Sequence, residues 1–536
     1  MRRIVLPSAW LGMLALVAAP AAARTTITPY IEVQQVFTAD LSGHDQDAVT
    51  YTGLSAGVDA TLDGKHVQGQ IDYRYDHYFA WSHKYQDSDV HQGLGVLVYQ
   101  PTPELSFNAA GIATRTSGNY GRRAPAFIAG DTSNTQQIYS AQVGPSYATN
   151  FGDLAFNADY RFAWTRASDG DGSLDLGPGQ PVLQDNFTTT DHVVDASIGT
   201  KPGGLGLPVG LTLSGGASRD QIHFLGGRMD DYYGRADITV PITPAIAAVG
   251  GVGYERNRAG QDAILTDADG NAILDDKRHL QGDHSKKRLL SYDQDGLIWD
   301  VGVLWRPSAR TSLEVRGGKR WGETVVTGHF QHQIDPNSTV EVVAYDDVTS
   351  FGRQLSSGVG SLPSNFSSFA APIPTTLAGC VFGANGGQGG CLPALSSASS
   401  DFYRSRGVYA NWSTSHGLWT YGIGVDYDHR HYLQPDFGPT IANLNAANSQ
   451  SVTANGVAVR KLTPVSSVSF TGVGGWYDDD ALNSSSYWVY GGALSYYRGF
   501  GEHLSGTASV SIFSGSGENR SNDVVGTGMV SVRYTM

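Results

Sequence analysis

Hydrophobic and polar residues alternate with period two over most of this chain, the repeat of β-strands with two unlike faces. Trp299, Val301, Val303 and Trp305 alternate with Asp300, Gly302 and Leu304. After the turn Pro307-Ser308-Ala309-Arg310, Leu313, Val315 and Trp321 take one face and Glu314, Arg316 and Arg320 the other. Val326, Gly328, Phe330 and Ile334 then oppose Thr327, His329, Gln331 and Gln333. Extended along the chain, the pattern predicts strands near 27–39, 49–61, 66–79, 90–99, 104–114, 135–148, 153–166, 190–200, 208–218, 230–240 and 245–256. Eleven more follow, near 296–306, 311–321, 324–334, 339–349, 403–413, 418–431, 451–462, 467–477, 486–498, 504–514 and 524–536. Connections after even-numbered strands are short, among them Asp63-Gly64, Pro101-Thr102-Pro103 and Thr463-Pro464. Those after odd-numbered strands are longer, Gly322-Glu323 excepted, and the outer loops near 257–295 and 350–402 are very long.

A half-buried sheet in water alternates too, so lipid needs separate support. Arg2 and Arg3 precede the apolar run from Ile4 to Ala19 and the small residues Ala21-Ala22-Ala23, the pattern of a secretory signal peptide over 1–23. Beyond it no apolar run approaches the roughly 20 residues of a membrane helix, so a mature chain that spans a membrane does so as strands. Sixty-seven Gly, 27 Tyr and 10 Trp with only 16% charged residues suit many short strands. The mean hydropathy of −0.23 is no objection, because only alternate residues of a barrel meet lipid. Loss of Arg2 and Arg3 with the signal peptide leaves 34 basic against 50 acidic residues, a net charge of −16, which excludes nucleic acid as a partner.

Short turns at one rim and long loops at the other are the asymmetry of an outer-membrane barrel. The expected fold is therefore all-β: a transmembrane antiparallel up-and-down β-barrel of about 22 strands, a single domain over 24–536, integral to the outer membrane of a Gram-negative envelope. An even strand number puts both termini in the periplasm. Val530, Val532, Tyr534 and Met536 alternate to the last position, as outer-membrane proteins commonly end, although most end in Phe or Trp.

The polar strand faces name the lumen candidates. Asp72, Arg74 and Asp76 oppose Ile71, Tyr73 and Tyr75; Asn157, Asp159 and Arg161 oppose Phe156, Ala158, Tyr160 and Phe162; Asp426, Asp428 and Arg430 oppose Val425 and Tyr427. Glu314, Arg316 and Arg320 complete the set. Charges of both signs on one face suit a wall that looks into water and pairs them across strands. Tyr78, Trp164, Trp299, Trp412 and Trp488, near strand ends, suit interfacial girdles. A cylinder of 22 tilted strands about 4.8 Å apart is roughly 45 Å across, too wide for side chains to fill. With the first strand beginning near 27, no N-terminal plug domain is expected, and the long loops are the candidates to fill the lumen.

Trp305-Arg306-Pro307-Ser308-Ala309-Arg310-Thr311-Ser312-Leu313, with Lys319-Arg320 and Tyr345 to Gly352, resembles the outer-membrane β-barrel porins found beside exopolysaccharide and PEP-CTERM (exosortase) gene clusters. Gly144-Pro145-Ser146-Tyr147 and Ala158-Asp159-Tyr160-Arg161 also fit. The resemblance implies a porin or channel connected with exopolysaccharide export or saccharide passage, and supplies no catalytic residue. The inserts at 257–295 and 350–402 depart from it. Outer-membrane lipid, lipopolysaccharide, the barrel-assembly machinery and export components are the partners it implies; a non-conducting surface scaffold is the alternative.

Cys380 and Cys391, the only cysteines, lie close together in an exported chain and predict a disulfide closing a small loop. Other motifs weaken in context. Gly53-Leu54-Ser55-Ala56-Gly57 matches a nucleophile elbow but sits inside an alternating strand, not at a strand–turn–helix junction. Asp267, Asp269, Asn271 and Asp275 lack EF-hand spacing, with Gly270 too early. His429 and His431 share a face without a third ligand. No enzymatic role, cofactor or metal site is expected.

Overall fold

Each predicted strand has one counterpart in the computed structural model, which describes residues 24–42, 48–81, 87–117, 135–169, 186–268, 272–275, 279–367, 379–435, 448–480, 486–517 and 520–536. Twenty-two strands pair antiparallel with their neighbours in chain order, and the first, Arg24–Asp40, closes on the last, Arg520–Thr535. Closure removes both sheet edges, so no row of backbone donors and acceptors is left unpaired. The expected signal peptide lies outside the described residues.

One side of the wall is apolar and exposed. Leu213, Leu297, Val301, Val326, Val510 and Val530 are each more than half exposed and point away from the barrel axis. Their neighbours in sequence point inward, where many meet a segment of the chain itself. Most connections at one rim are tight, such as Gly152-Asp153 and Gly417-Leu418, whose glycines adopt positive φ. The opposite rim carries the long connections 262–288 and 351–401.

Two aromatic assignments change. Tyr78 turns inward, 1% exposed, and packs edge-on against Tyr51 in an interior cluster with Val36 and Val90. Trp321 leaves the apolar face: its strand ends at Arg320, Trp321 takes φ 53° in the turn, and its indole donates to Glu255. Trp299 and Trp488 stay on the outer face, about half exposed.

Candidate functional site

The 351–401 connection leaves the wall at Ser350 and returns at Phe402, which face each other on adjacent strands. Between these points its described residues, 351–367 and 379–401, fold into the lumen as a strap. Its first part is the one long helix among the described residues, α1 (Phe351–Ser361). Phe351, Leu355 and Val359 recur every four residues on one face, Ser350 caps the N-terminus by accepting from the Arg353 amide, and Pro363 follows the last turn. That apolar face packs edge-on against Phe187 through Phe351 and joins one buried cluster with Ile138 and Ala167 of the wall. Burying three such side chains contributes about 5–9 kcal/mol before the entropy of ordering the strap.

The wall holds the strap further along through Arg430, 1% exposed. Its guanidinium donates to the carbonyls of Pro393, Ala394 and Ser397 at 3.0, 3.2 and 2.7 Å, while Asp428 accepts from Nε at 2.6 Å. The guanidinium also lies 4.8 Å from the Tyr403 ring centre. Beyond α1, Cys380 and Cys391 form a disulfide across a short antiparallel pair, Cys380–Val381 with Gly390–Cys391. Phe382 below it presses on Gly422. The tip reaches the short-turn rim: Gly386 has φ 77°, and a Cβ there would stand 1.7 Å from the carbonyl oxygen of Asn337. Gln388 donates to Glu341 at 2.8 Å, and Ser413 donates to the Gly387 carbonyl. The strap thus runs the height of the lumen.

Beside it a cavity of about 450 Å³ remains, against the first five strands and the strands Asn448–Thr463, Ser466–Asp479 and Arg520–Thr535. Tyr30, Asp59, Asp72, Arg74, Arg115 and Arg533 line the wall side; Phe366, Phe382 and Leu392 line the strap side. Arg74 pairs with Asp76 at 2.7 Å and Glu32 at 3.1 Å, and donates to Gln34 and Ser55. Arg533 pairs with Glu32 at 2.9 Å and Asp59 at 3.5 Å, and its guanidinium lies 3.8 Å from the Tyr30 ring centre. The cavity offers fixed charges of both signs, amide and hydroxyl groups and aromatic faces, a combination that hydrogen-bonds and stacks on polyhydroxylated solutes.

The sequence candidates fall into separate places. Asp72, Arg74 and Asp76 belong to the cavity and its wall, with Asp72 accepting from Gln70 at 3.2 Å. Asn157 and Asp159 are exposed on the inner face, and Arg161 lies 3.8 Å from Asp191. Arg316 joins Glu314 at 2.6 Å, Asp237 at 2.8 Å and Asp300 at 3.1 Å, while Arg320 grips Glu255 at 2.7 and 2.8 Å. Asp426 accepts from Thr453, and Asp428 accepts from Ser405 at 2.5 Å and Tyr345 at 3.0 Å. Asp426, Asp428 and Arg430 are buried beneath the strap and do not line the cavity. Ser55 donates to Asp76 at 2.5 Å from mid-strand, with no turn beside it. Asp269 and Asn271 lie outside the described residues.

Several wall groups escaped the sequence reading: Glu32, Asp59 and Arg533 meet where the chain's two ends close the barrel, a juxtaposition no local pattern reveals. Asp191, Asp220, Asp231 and Asp347 surround Arg353 of α1. Burial opposes the charge on Arg353, but these carboxylates outweigh it and raise its pKa above the ordinary value.

Fold and site together define a closed antiparallel barrel narrowed by an inward strap. No family model matches the sequence, and no curated protein matches it. Among solved structures it is similar to the ferric enterobactin receptor of Pseudomonas aeruginosa (11% identity, 97% of this chain and 81% of that one, TM-score 0.41). It is also similar to the FrpB iron transporter of Neisseria meningitidis (11%, 95% and 82%, 0.43) and to the ferric-catecholate import receptor Fiu of E. coli K12 (9%, 95% and 81%, 0.42). Likenesses this distant say nothing about what this chain binds or passes.

Proposed function

We propose that this protein is an outer-membrane channel passing small saccharides through the space beside the strap, in connection with exopolysaccharide traffic. The observation that carries the reading is the cavity of about 450 Å³, with charged, amide and aromatic groups set among apolar ones, inside a closed wall whose outer side is apolar. An apolar outer band belongs in hydrocarbon, and strands there need the full pairing that closure provides. A strap fixed across the lumen favours mono- or oligosaccharides over a continuous polymer, which would have to displace it. The short-turn rim and both termini are assigned to the periplasm, the long loops to the cell surface among lipopolysaccharide; insertion relies on the barrel-assembly machinery. No catalytic role or cofactor is assigned.

Planar-bilayer conductance and liposome swelling with sugars of rising size test this. The expected result is small, steady conductance that rises on deletion of the strap, with uptake falling off beyond oligosaccharides. Absence of conductance with or without the strap would replace the channel by a surface scaffold.

A further inference from the structure

Under the N-terminal end of α1 lies a second polar site, remote from the cavity. Asp191 and Asp220 face each other across the strands Phe187–Thr200 and Gly210–Ile222, and Asp231 faces Asn257 across the next pair but one. All four side chains are at least 95% buried. Both carboxylate oxygens of Asp191, one each of Asp220 and Asp231, and the amide oxygen of Asn257 meet no N–H or hydroxyl donor, and the Asp191 and Asp220 carboxyl groups abut one another, as do those of Asp231 and Glu255. Buried oxygens left this way are costly, and Asn257, being neutral, could equally have been satisfied by any nearby donor.

Charge leads to the same place. Asp191, Asp195, Asp220, Asp231, Glu255 and Asp347 bring six carboxyl groups to this place against the three guanidinium groups of Arg161, Arg320 and Arg353. Arg320 is committed to Glu255, and Arg161 stands 3.8 Å from Asp191. Arg353 donates to Ser218 at 2.9 Å and forms no direct ion pair among the described residues. Ser350 donates to Asp220 at 3.0 Å, which places the positive end of the α1 dipole beside the nest, worth about half a charge.

We propose that this nest binds a divalent cation of the Mg²⁺ or Ca²⁺ class that keeps part of its water shell. The donors are all oxygen, the preference of hard cations, and the acidic groups outnumber the basic ones. Among the described residues no three acidic, histidine or cysteine side chains converge enough to hold a bare ion, so water completes the shell and bridges to Asp231 and Asn257. The ion pins the N-terminal end of α1 to the wall, whether or not the lumen conducts.

The test uses the whole protein in detergent, stripped with EDTA, with Mn²⁺ as a paramagnetic probe. Mn²⁺ should bind one site, be displaced by Mg²⁺ or Ca²⁺, and bind at least tenfold more weakly to Asp191→Asn/Asp220→Asn, whose folding is verified by heat-modifiable gel migration. Metal-free, that double variant should melt above the parent, because it lacks the uncompensated charge. No Mn²⁺ binding by the parent, equal binding by the variant, or stabilisation of the parent by acid but not by divalent ions would each overturn the site. Because the readout is binding, it stands or falls separately from conductance.

Discussion

Replacing Arg430 by Met keeps most of the side chain's length and removes its charge and donors. Three strap carbonyls then lose a donor, and Asp428 loses the partner held at 2.6 Å. Removing one partner of a buried pair costs roughly 3–5 kcal/mol, chiefly because the other charge stays buried. The orphaned carbonyls are worth about 1–3 kcal/mol each taken singly, but they act as one cluster and do not add. The barrel closes through backbone pairing in which the Arg430 side chain takes no part, so the cost falls on docking of the strap. About 4 kcal/mol corresponds to a population shift on the order of a thousandfold. Broad-specificity proteolysis in detergent, with cleavage within 351–401 located by mass spectrometry, reads that shift when opening is fast relative to cutting. The expected outcome is a comparable rise in strap cleavage while the barrel keeps its heat-modifiable migration. Adding Asp428→Asn should recover a large part, since no uncompensated charge remains. An unchanged cleavage rate in Arg430→Met would refute the anchoring role.

Cys380→Ser opens a loop of sequence separation 11 and should loosen the strap by about 2–4 kcal/mol, read as faster hairpin proteolysis with the barrel's melting unchanged. Gly386→Ala places a Cβ against Asn337 at a positive φ and should lift the tip from the short-turn rim, raising conductance in bilayers. Ala158→Arg puts a cation on the outer face, where it costs roughly 2–4 kcal/mol near the midplane, and should block membrane assembly. Asn157→Arg, exposed inside, should assemble normally in the same outer-membrane fractionation; equal damage from both would show the faces reversed.

The barrel was readable in the sequence because a closed wall with an apolar outer face and a polar inner one enforces period two on every strand, and a one-residue slip would turn each set of side chains over. The same rule exposes the mistake over Tyr78, which shares its parity with Asp72, Arg74 and Asp76 and had to point inward with them. Trp321 escaped it because a left-handed residue in a turn breaks the parity count. Helix α1 was legible but overlooked: Phe351, Leu355 and Val359 with Ser350 ahead and Pro363 behind spell a capped amphipathic turn within a segment read as loose loop. The acidic nest was not legible. Asp191, Asp220, Asp231 and Asp347 stand on four different strands, and only strand register and the folded strap bring them together.

The two ends of the strap are fused to neighbouring staves of the wall, Ser350 directly across from Phe402. Such a piece can bend aside but never depart, unlike a cork that is pulled out and replaced. In the channel proposed above, opening would therefore work as a trapdoor on its own hinge, with both ends of the strap staying in the wall.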